Sequence, residues 1–260
     1  IFLFANGIPA MKEIGFGEFL SGEMWKPKNE IFGILPMIVG SLYVTAGAII
    51  FGVPIGILTA VFMAYYCPKK IYKPLKAATE LLAGIPSVVY GFFGLVVIVP
   101  LIRTLGRDLG FGGNGSSILT ASLLLGMMIL PTIIGLTESS IRAVPEQYYE
   151  GAVALGATHE RAIFRVVIPA AKSGVIAAIV LGIGRAIGET MAVIMVAGNQ
   201  ARLPQGIFRG VRTLTANIVI EMGYATGLHR EALIATGVVL FVFILIINFS
   251  VALLKRRTTH

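Results

Sequence analysis

Charge is scarce in this sequence. Asp, Glu, Lys and Arg make up 13% of its 260 residues, against roughly 25% in a soluble domain. Cysteine is nearly missing: the single Cys67 excludes an internal disulfide, offers no thiolate cluster to a metal, and reads as a small buried apolar side chain. No Gly is followed by Lys, so the chain has no Gly-x-x-x-x-Gly-Lys-Ser/Thr loop to cradle ATP phosphates. There is no His-Glu-x-x-His cluster and no nucleophile–base pair, which argues against an intramembrane enzyme. Long linkers, low-complexity tracts and internal repeats are also lacking, so residues 1–260 read as one domain.

Long apolar runs are what the sequence does have. Residues 31–68, 81–102, 109–137 and 232–254 carry no charge, and 173–201 carries only Arg185 and Glu189. A helix needs about 20 apolar residues to span a bilayer. Backbone polar groups in lipid must be satisfied internally, so only helices or closed barrels span it. Barrel strands alternate over roughly ten residues, and these runs do not. The fold is expected to be an all-α integral membrane bundle, with helices at 38–65, 77–104, 118–138, 173–197 and 232–254. Residues 1–8 read as the end of a first helix, so six are expected in the natural protein and five complete ones here. Pro54 is expected to kink the 38–65 helix. Residues 9–33 (with Trp25), the Gly-rich 105–117 and 198–231 read as external, and 139–172 as a polar cytoplasmic loop.

The formal charge of +8 does not point to nucleic acid, because its basic residues are divided among loops. One side holds Lys69, Lys70, Lys73, Lys76, Arg142, Arg161, Arg165, Lys172 and Lys255-Arg256-Arg257. The other holds Lys12, Lys26, Lys28, Arg103, Arg107, Arg202, Arg209, Arg212 and Arg230. The first group sits closer to helix ends, where the positive-inside rule applies, and is expected to be cytoplasmic. For the external arginines Arg202, Arg209, Arg212 and Arg230, two readings stand: a hydrated loop, or a surface that meets a soluble binding protein.

Within the polar loop, Pro145 and Glu146 suit a helix start. Gly156 suits a left-handed stop, Thr158 an N-cap, and Pro169 a limit to the second helix. Ile163, Val166 and Val167 give that helix an apolar face, with Arg161 and Arg165 four apart on a charged one. His159 has no metal-like spacing and reads as a surface contact. Tyr148 and Tyr149 suit either packing on a partner or anchoring at the membrane interface.

Glu150-Gly151-Ala152, three residues, Gly156, nine residues and Val166-Val167-Ile168-Pro169 resemble the "EAA" loop of ABC-importer permeases, departing at Gly151, Val166 and Ile168. Gly151 weakens its helix by about 1 kcal/mol relative to Ala. The resemblance implies that Glu150, Gly151, Ala152, Gly156, His159, Arg161, Arg165, Ile168 and Pro169 dock in a cleft of a separate ATPase subunit. A solvated helical hairpin is the plainer reading.

Arg185 and Glu189 are four apart, so in an unbroken helix they share a face. Each charge deep in the bilayer costs about 2.5–3.5 kcal/mol, so the two should face a cavity or each other. Gly184 and Gly188 offer a small-xxx-small step for another helix. One reading is an oxyanion pathway in which Arg185 presents its fork of donors to phosphate. Glu189 then orients Arg185 or accepts the proton that hydrogen phosphate carries. The other is a structural ion pair between subunits. Ser87, Thr190 and Tyr90 are candidate donors to the same path, or packing residues, and Pro86 either opens the backbone there or makes a packing kink.

Arg185-Ala186-Ile187-Gly188-Glu189-Thr190-Met191-Ala192-Val193 and Ala83-Gly84-Ile85-Pro86-Ser87-Val88-Val89-Tyr90-Gly91 resemble helices of the phosphate permeases of the PstC and PstA pair, the PstC type more closely. Sulfate and molybdate permeases have a similar Arg and Gly-Glu but typically follow the Glu with Phe-Gly-Ala. An ion-gradient transporter would usually show repeated halves and acids on several helices. The resemblance implies the type I importer permease fold in a cell inner membrane, alternating access, and no cofactor on this chain. Implied partners are a PstA-like permease, a dimeric PstB-like ATPase holding ATP-Mg, and a soluble PstS-like phosphate receptor.

Overall fold

A computed structural model describes the backbone of residues 2–257 and the side chains of 2–249. Helix α1 (Phe2–Ile14) leads into a short α2 (Phe16–Ser21) and a two-residue β-hairpin, β1 (Trp25–Lys26) with β2 (Ile31–Phe32). The first helix thus runs past residue 8, and the stretch expected to be external is structured, with Phe19, Trp25 and Phe32 buried. Helix α3 (Leu35–Val61) stays helical through Pro54 and is extended by a π-helical turn over Phe62–Tyr66. Amphipathic α4 (Lys69–Gly84) follows, then α5 (Ser87–Phe93), a π turn, and α6 (Val99–Asp108). The expected 77–104 helix is therefore divided at Ile85-Pro86. Pro86 has no N–H to donate and biases the residue before it to an extended conformation.

Helix α7 (Ile118–Arg142) is the central post. Its start is capped by Ser117, whose side chain accepts from the Thr120 N–H at 3.3 Å. It packs mainly on α3. Small residues allow that approach: a Cβ at Gly52 would meet the Gly126 carbonyl at 2.9 Å, and one at Gly56 would meet Ile133 at 2.7 Å. The polar segment after α7 is a helical hairpin of α8 (Glu146–Ala154) against α9 (His159–Ala162), a π turn over Ile163–Val167, and α10 (Ile168–Ala170). Helix α11 (Lys172–Gly188) leaves at 70° to that arm and packs on α7 and α3. The expected 173–197 helix also breaks, resuming as α12 (Met191–Val196). Within 198–231 lies a buried helix, α13 (Leu214–Glu221), and α14 (Gly227–Arg257) closes the bundle against α1.

Among the described residues four helical segments are long and apolar enough to cross a membrane: Leu35–Tyr66, Ser87–Asp108, Ile118–Arg142 and Gly227–Phe249. A fifth is counted only when the bent pair His159–Ala170 and Lys172–Gly188 is taken as one span. Large apolar side chains such as Leu101 and Phe92 face outward from these segments, as lipid contact allows.

At the end opposite the helical hairpin, Glu221 is buried and ties three elements together. It accepts from Trp25 Nε1 at 2.8 Å, from Arg212 Nη1 at 2.5 Å, and pairs with His229 Nε2 at 2.9 Å. Arg212 also donates to Asn217 Oδ1 and to the Asn199 carbonyl. Arg212 therefore belongs to an internal network and not to a hydrated loop. Removing one member of a buried pair strands the other charge. Glu221→Ala is expected to cost about 3–5 kcal/mol, read as a lower melting temperature of the purified protein in detergent.

Candidate functional site: two helix breaks around a guanidinium

Both interrupted spans break in the same way. Helix α4 ends at Gly84, and Ile85 turns extended (φ −68°, ψ 127°) before α5. Helix α11 ends at Gly188, and Glu189 turns extended (φ −70°, ψ 129°) before α12. The two short helices beyond the breaks lie against each other. A Cβ at Gly91 of α5 would stand 2.9 Å from Ala192 Cα and 2.7 Å from Met195 Sδ, so this contact needs glycine. Gly91→Val is expected to push the two breaks apart and lower the yield of folded protein, as measured by size-exclusion profile in detergent.

Each break has its own polar support. The Tyr90 hydroxyl donates to the Leu82 carbonyl at 2.9 Å, covering a backbone group in the last turn before Ile85-Pro86. Glu189 Oε1 accepts from the Thr190 N–H at 3.1 Å and the Ala192 N–H at 3.2 Å, satisfying the start of α12. The Glu189 carbonyl accepts from Thr215 on α13, and the Thr190 hydroxyl donates to Gly188. Ser87 stands half-buried at the start of α5.

The expected shared face of Arg185 and Glu189 does not form. Glycine favours the helix less than other residues by about 1 kcal/mol; the helix stops at Gly188, and the Glu189 carboxylate is used as a cap. Half-buried Arg185 instead donates to Thr132 of α7 at 3.3 Å. It makes no other hydrogen bond or ion pair among the described residues. At Gly184 and Gly188, expected to admit another helix, a placed Cβ meets none of the described residues beyond its own helical turns within 4 Å. Arg185 thus carries unused donors beside open space, one turn before a break in an apolar span.

In the helical hairpin, Gly156 takes the left-handed conformation (φ +85°), and Thr158 caps α9 by accepting from the Arg161 N–H at 3.3 Å. Pro145 is the N-cap of α8 and precedes its first turn. Ile163 and Val167 are buried with Val61, Ile141, Ala171 and Val175, fixing the hairpin to the ends of α3, α7 and α11. Glu150, Gly151, Arg161, Arg165 and Pro169 are exposed, while Ala152 and Ile168 are half-buried. His159 is half-buried and has partners inside the chain. It bonds to the Tyr149 hydroxyl at 2.7 Å and lies edge-on to Tyr66 at 5.1 Å, with Tyr65 also against it. Tyr149 is thereby used inside the chain, whereas Tyr148 remains exposed. Leu155, at the turn, is 91% exposed.

A buried carboxylate that the apolar-run pattern did not single out is Glu138, near the end of α7. It is 1% exposed and accepts from Tyr72 Oη at 2.7 Å, Lys76 Nζ at 2.8 Å and Arg142 Nε at 2.9 Å. The four-residue spacing of Glu138 and Arg142 was its one sequence signal. The Glu138 hydrogen bonds raise Lys76 above its ordinary 10.5 and Tyr72 above its ordinary 10.0. A raised folded pKa means a contribution complete below the unfolded value and lost as pH rises through the folded one. The melting-temperature gap between wild type and Glu138→Gln is therefore expected to hold through neutral pH and to shrink as pH rises above these ordinary values.

Residues 52–260 match the family model described as binding-protein-dependent transport system inner membrane component. The phosphate transport system permease protein PstC of Mesorhizobium japonicum is 38% identical, with 95% of this chain and 80% of that protein covered. The probable ABC transporter permease protein YqgH of Bacillus subtilis is 39% identical, with 96% and 82% covered. A chain of the MetNI methionine ABC transporter in inward-facing conformations superimposes with a TM-score of 0.69 at 20% identity, covering 91% of this chain and 100% of that one. That likeness establishes the fold, which is the type I importer permease bundle. From the helix breaks, the apolar spans and these matches together, the chain belongs to the binding-protein-dependent transport system inner membrane components, the permease subunits of ABC transporters.

Proposed function

We propose that this permease imports inorganic phosphate, through a path it encloses with a second, homologous permease subunit. The observation that carries the reading is Arg185: a half-buried guanidinium inside an apolar span, with one neutral partner, facing open space at Gly184 and Gly188. A cation kept there with no counter-ion among the described residues suits a transient anion, and the planar fork matches phosphate oxygens. The PstC names of relatives at 38% and 32% identity support phosphate as that anion. Glu189 acts here through the start of α12, holding the break open beside Arg185. Thr190, Ser87 and Tyr90 line or support the same breaks.

The hairpin 145–170 faces the cytoplasm and seats in a PstB-like ATPase dimer, with Leu155 at its tip. ATP-Mg is held there, and this chain carries no nucleotide. ATP closure draws the hairpins together and opens the path outward, and a PstS-like receptor delivers phosphate from outside. The test is phosphate uptake by proteoliposomes holding the complete transporter. Arg185→Lys and Glu189→Gln are each expected to slow uptake, and unchanged uptake in both would remove the pathway.

A further inference from the structure

Helix α4 poses a placement problem. Within this chain it buries no residue, so apolar packing does not fix it on the bundle. Its polar contacts with α7 converge on one side chain: Tyr72 and Lys76 both donate to the buried Glu138. The same carboxylate takes Arg142 Nε, and Arg142 Nη2 donates to the Met63 carbonyl in the π turn that ends α3, at 2.9 Å. The Arg142 guanidinium also stacks over the Tyr72 ring, 4.8 Å from its centroid. One carboxylate thus joins α4, α7 and the end of α3.

The location gives this node a task. Glu138 lies one turn before the end of α7, which leads into the helical hairpin, and the apolar cluster around Ile141, Ile163 and Val167 packs the hairpin on the ends of α3 and α7. In the other direction, α4 runs straight to the Ile85-Pro86 break. There Tyr90 holds its last turn, and Gly91 presses α5 onto α12 next to Glu189. Helix α11 carries hairpin movement to the second break directly. Through α4 it reaches the first break from the side opposite the α5–α12 contact, and the polar attachment of α4 to α7 is at Glu138.

We propose that Glu138 is a positioning residue that makes α4 follow the helical hairpin, so that movement of the hairpin reaches both helix breaks together. This rests on the transport reading above. Without the carboxylate, the hairpin still engages the ATPase and moves, but α4 is no longer drawn with it. Hydrolysis then continues while transport fails.

The experiment uses the whole transporter in proteoliposomes, with ATP, receptor and radiolabelled inorganic phosphate. E138Q is expected to hydrolyse ATP within twofold of wild type and to move at least tenfold less phosphate per ATP. E138D restores part of that ratio, and Y72F and K76M fall between. A wild-type ratio in E138Q, or uptake and hydrolysis falling in equal proportion, overturns the proposal. If E138Q does not assemble, Y72F and K76M decide, and wild-type ratios in both overturn it. A second readout is independent of substrate. Spin labels at Leu81 of α4 and Leu101 of α6, both strongly exposed, are placed in a Cys67→Ser background. Their distance is expected to change on adding ATP in wild type and to stay fixed in Y72F/K76M. No change in wild type, or the same change in both, overturns the inference even if phosphate proves to be the wrong anion.

Discussion

Arg185→Gln is expected to abolish phosphate uptake by the assembled transporter while leaving the protein folded. Among the described residues the side chain has one hydrogen bond to give up, to Thr132, and Gln is polar and uncharged, so the fold loses little. The loss is therefore concentrated on the anion. A hydrogen bond to a charged group contributes about 1.5–3 kcal/mol. Losing a two-pronged contact then costs about 3 kcal/mol or more, roughly a hundredfold in rate at fixed phosphate. Arg185→Lys keeps the charge but not the fork, so it should sit between the two. Thermal melting in detergent separates this from misfolding: the uptake should collapse in Arg185→Gln with the melting temperature held.

A second large effect is expected at the tip of the hairpin. Leu155 touches almost nothing in this chain, so Leu155→Asp should leave the permease intact. Burying a leucine contributes about 1.5–3 kcal/mol, and an unpaired aspartate in the same cleft costs more than that. Co-purification of the ATPase subunit with Leu155→Asp should therefore fall by tenfold or more. Gly156→Val acts on the same contact by another route. A left-handed residue with a Cβ costs about 1–2 kcal/mol, so the turn between α8 and α9 would shift. The ATPase should then bind more weakly without any change of charge.

Much of this architecture was legible because apolar length is a robust signal. The charge-free runs marked the spans, and Gly156 and Thr158 marked the hairpin turn, since each rests on backbone chemistry of a single residue. The breaks were harder to see. Helix periodicity runs unaltered through Gly188-Glu189-Thr190, and only the competition between helix continuation and a carboxylate cap separates α11 from α12. That competition replaced the expected shared face of Arg185 and Glu189 with separate partners, Thr132 for one and the start of α12 for the other. Glu138 and Glu221 escaped for a different reason. Each stands at the edge of an apolar run, where a charge reads as solvated, and their partners arrive from 62 and 196 residues away. His229 carried no sequence pattern, yet it completes the Glu221 network.

The central claim is that the Arg185 guanidinium, which has no counter-ion among the described residues and stands one turn before a helix break, carries an anion driven by ATP. Its most direct measurement is ATP-dependent uptake of radiolabelled phosphate into proteoliposomes, wild type against Arg185→Gln, at matched ATP hydrolysis. The expected result is accumulation in wild type only when ATP is supplied, and none above background in Arg185→Gln. Equal uptake by the two proteins, or wild-type uptake that persists without ATP, would contradict it.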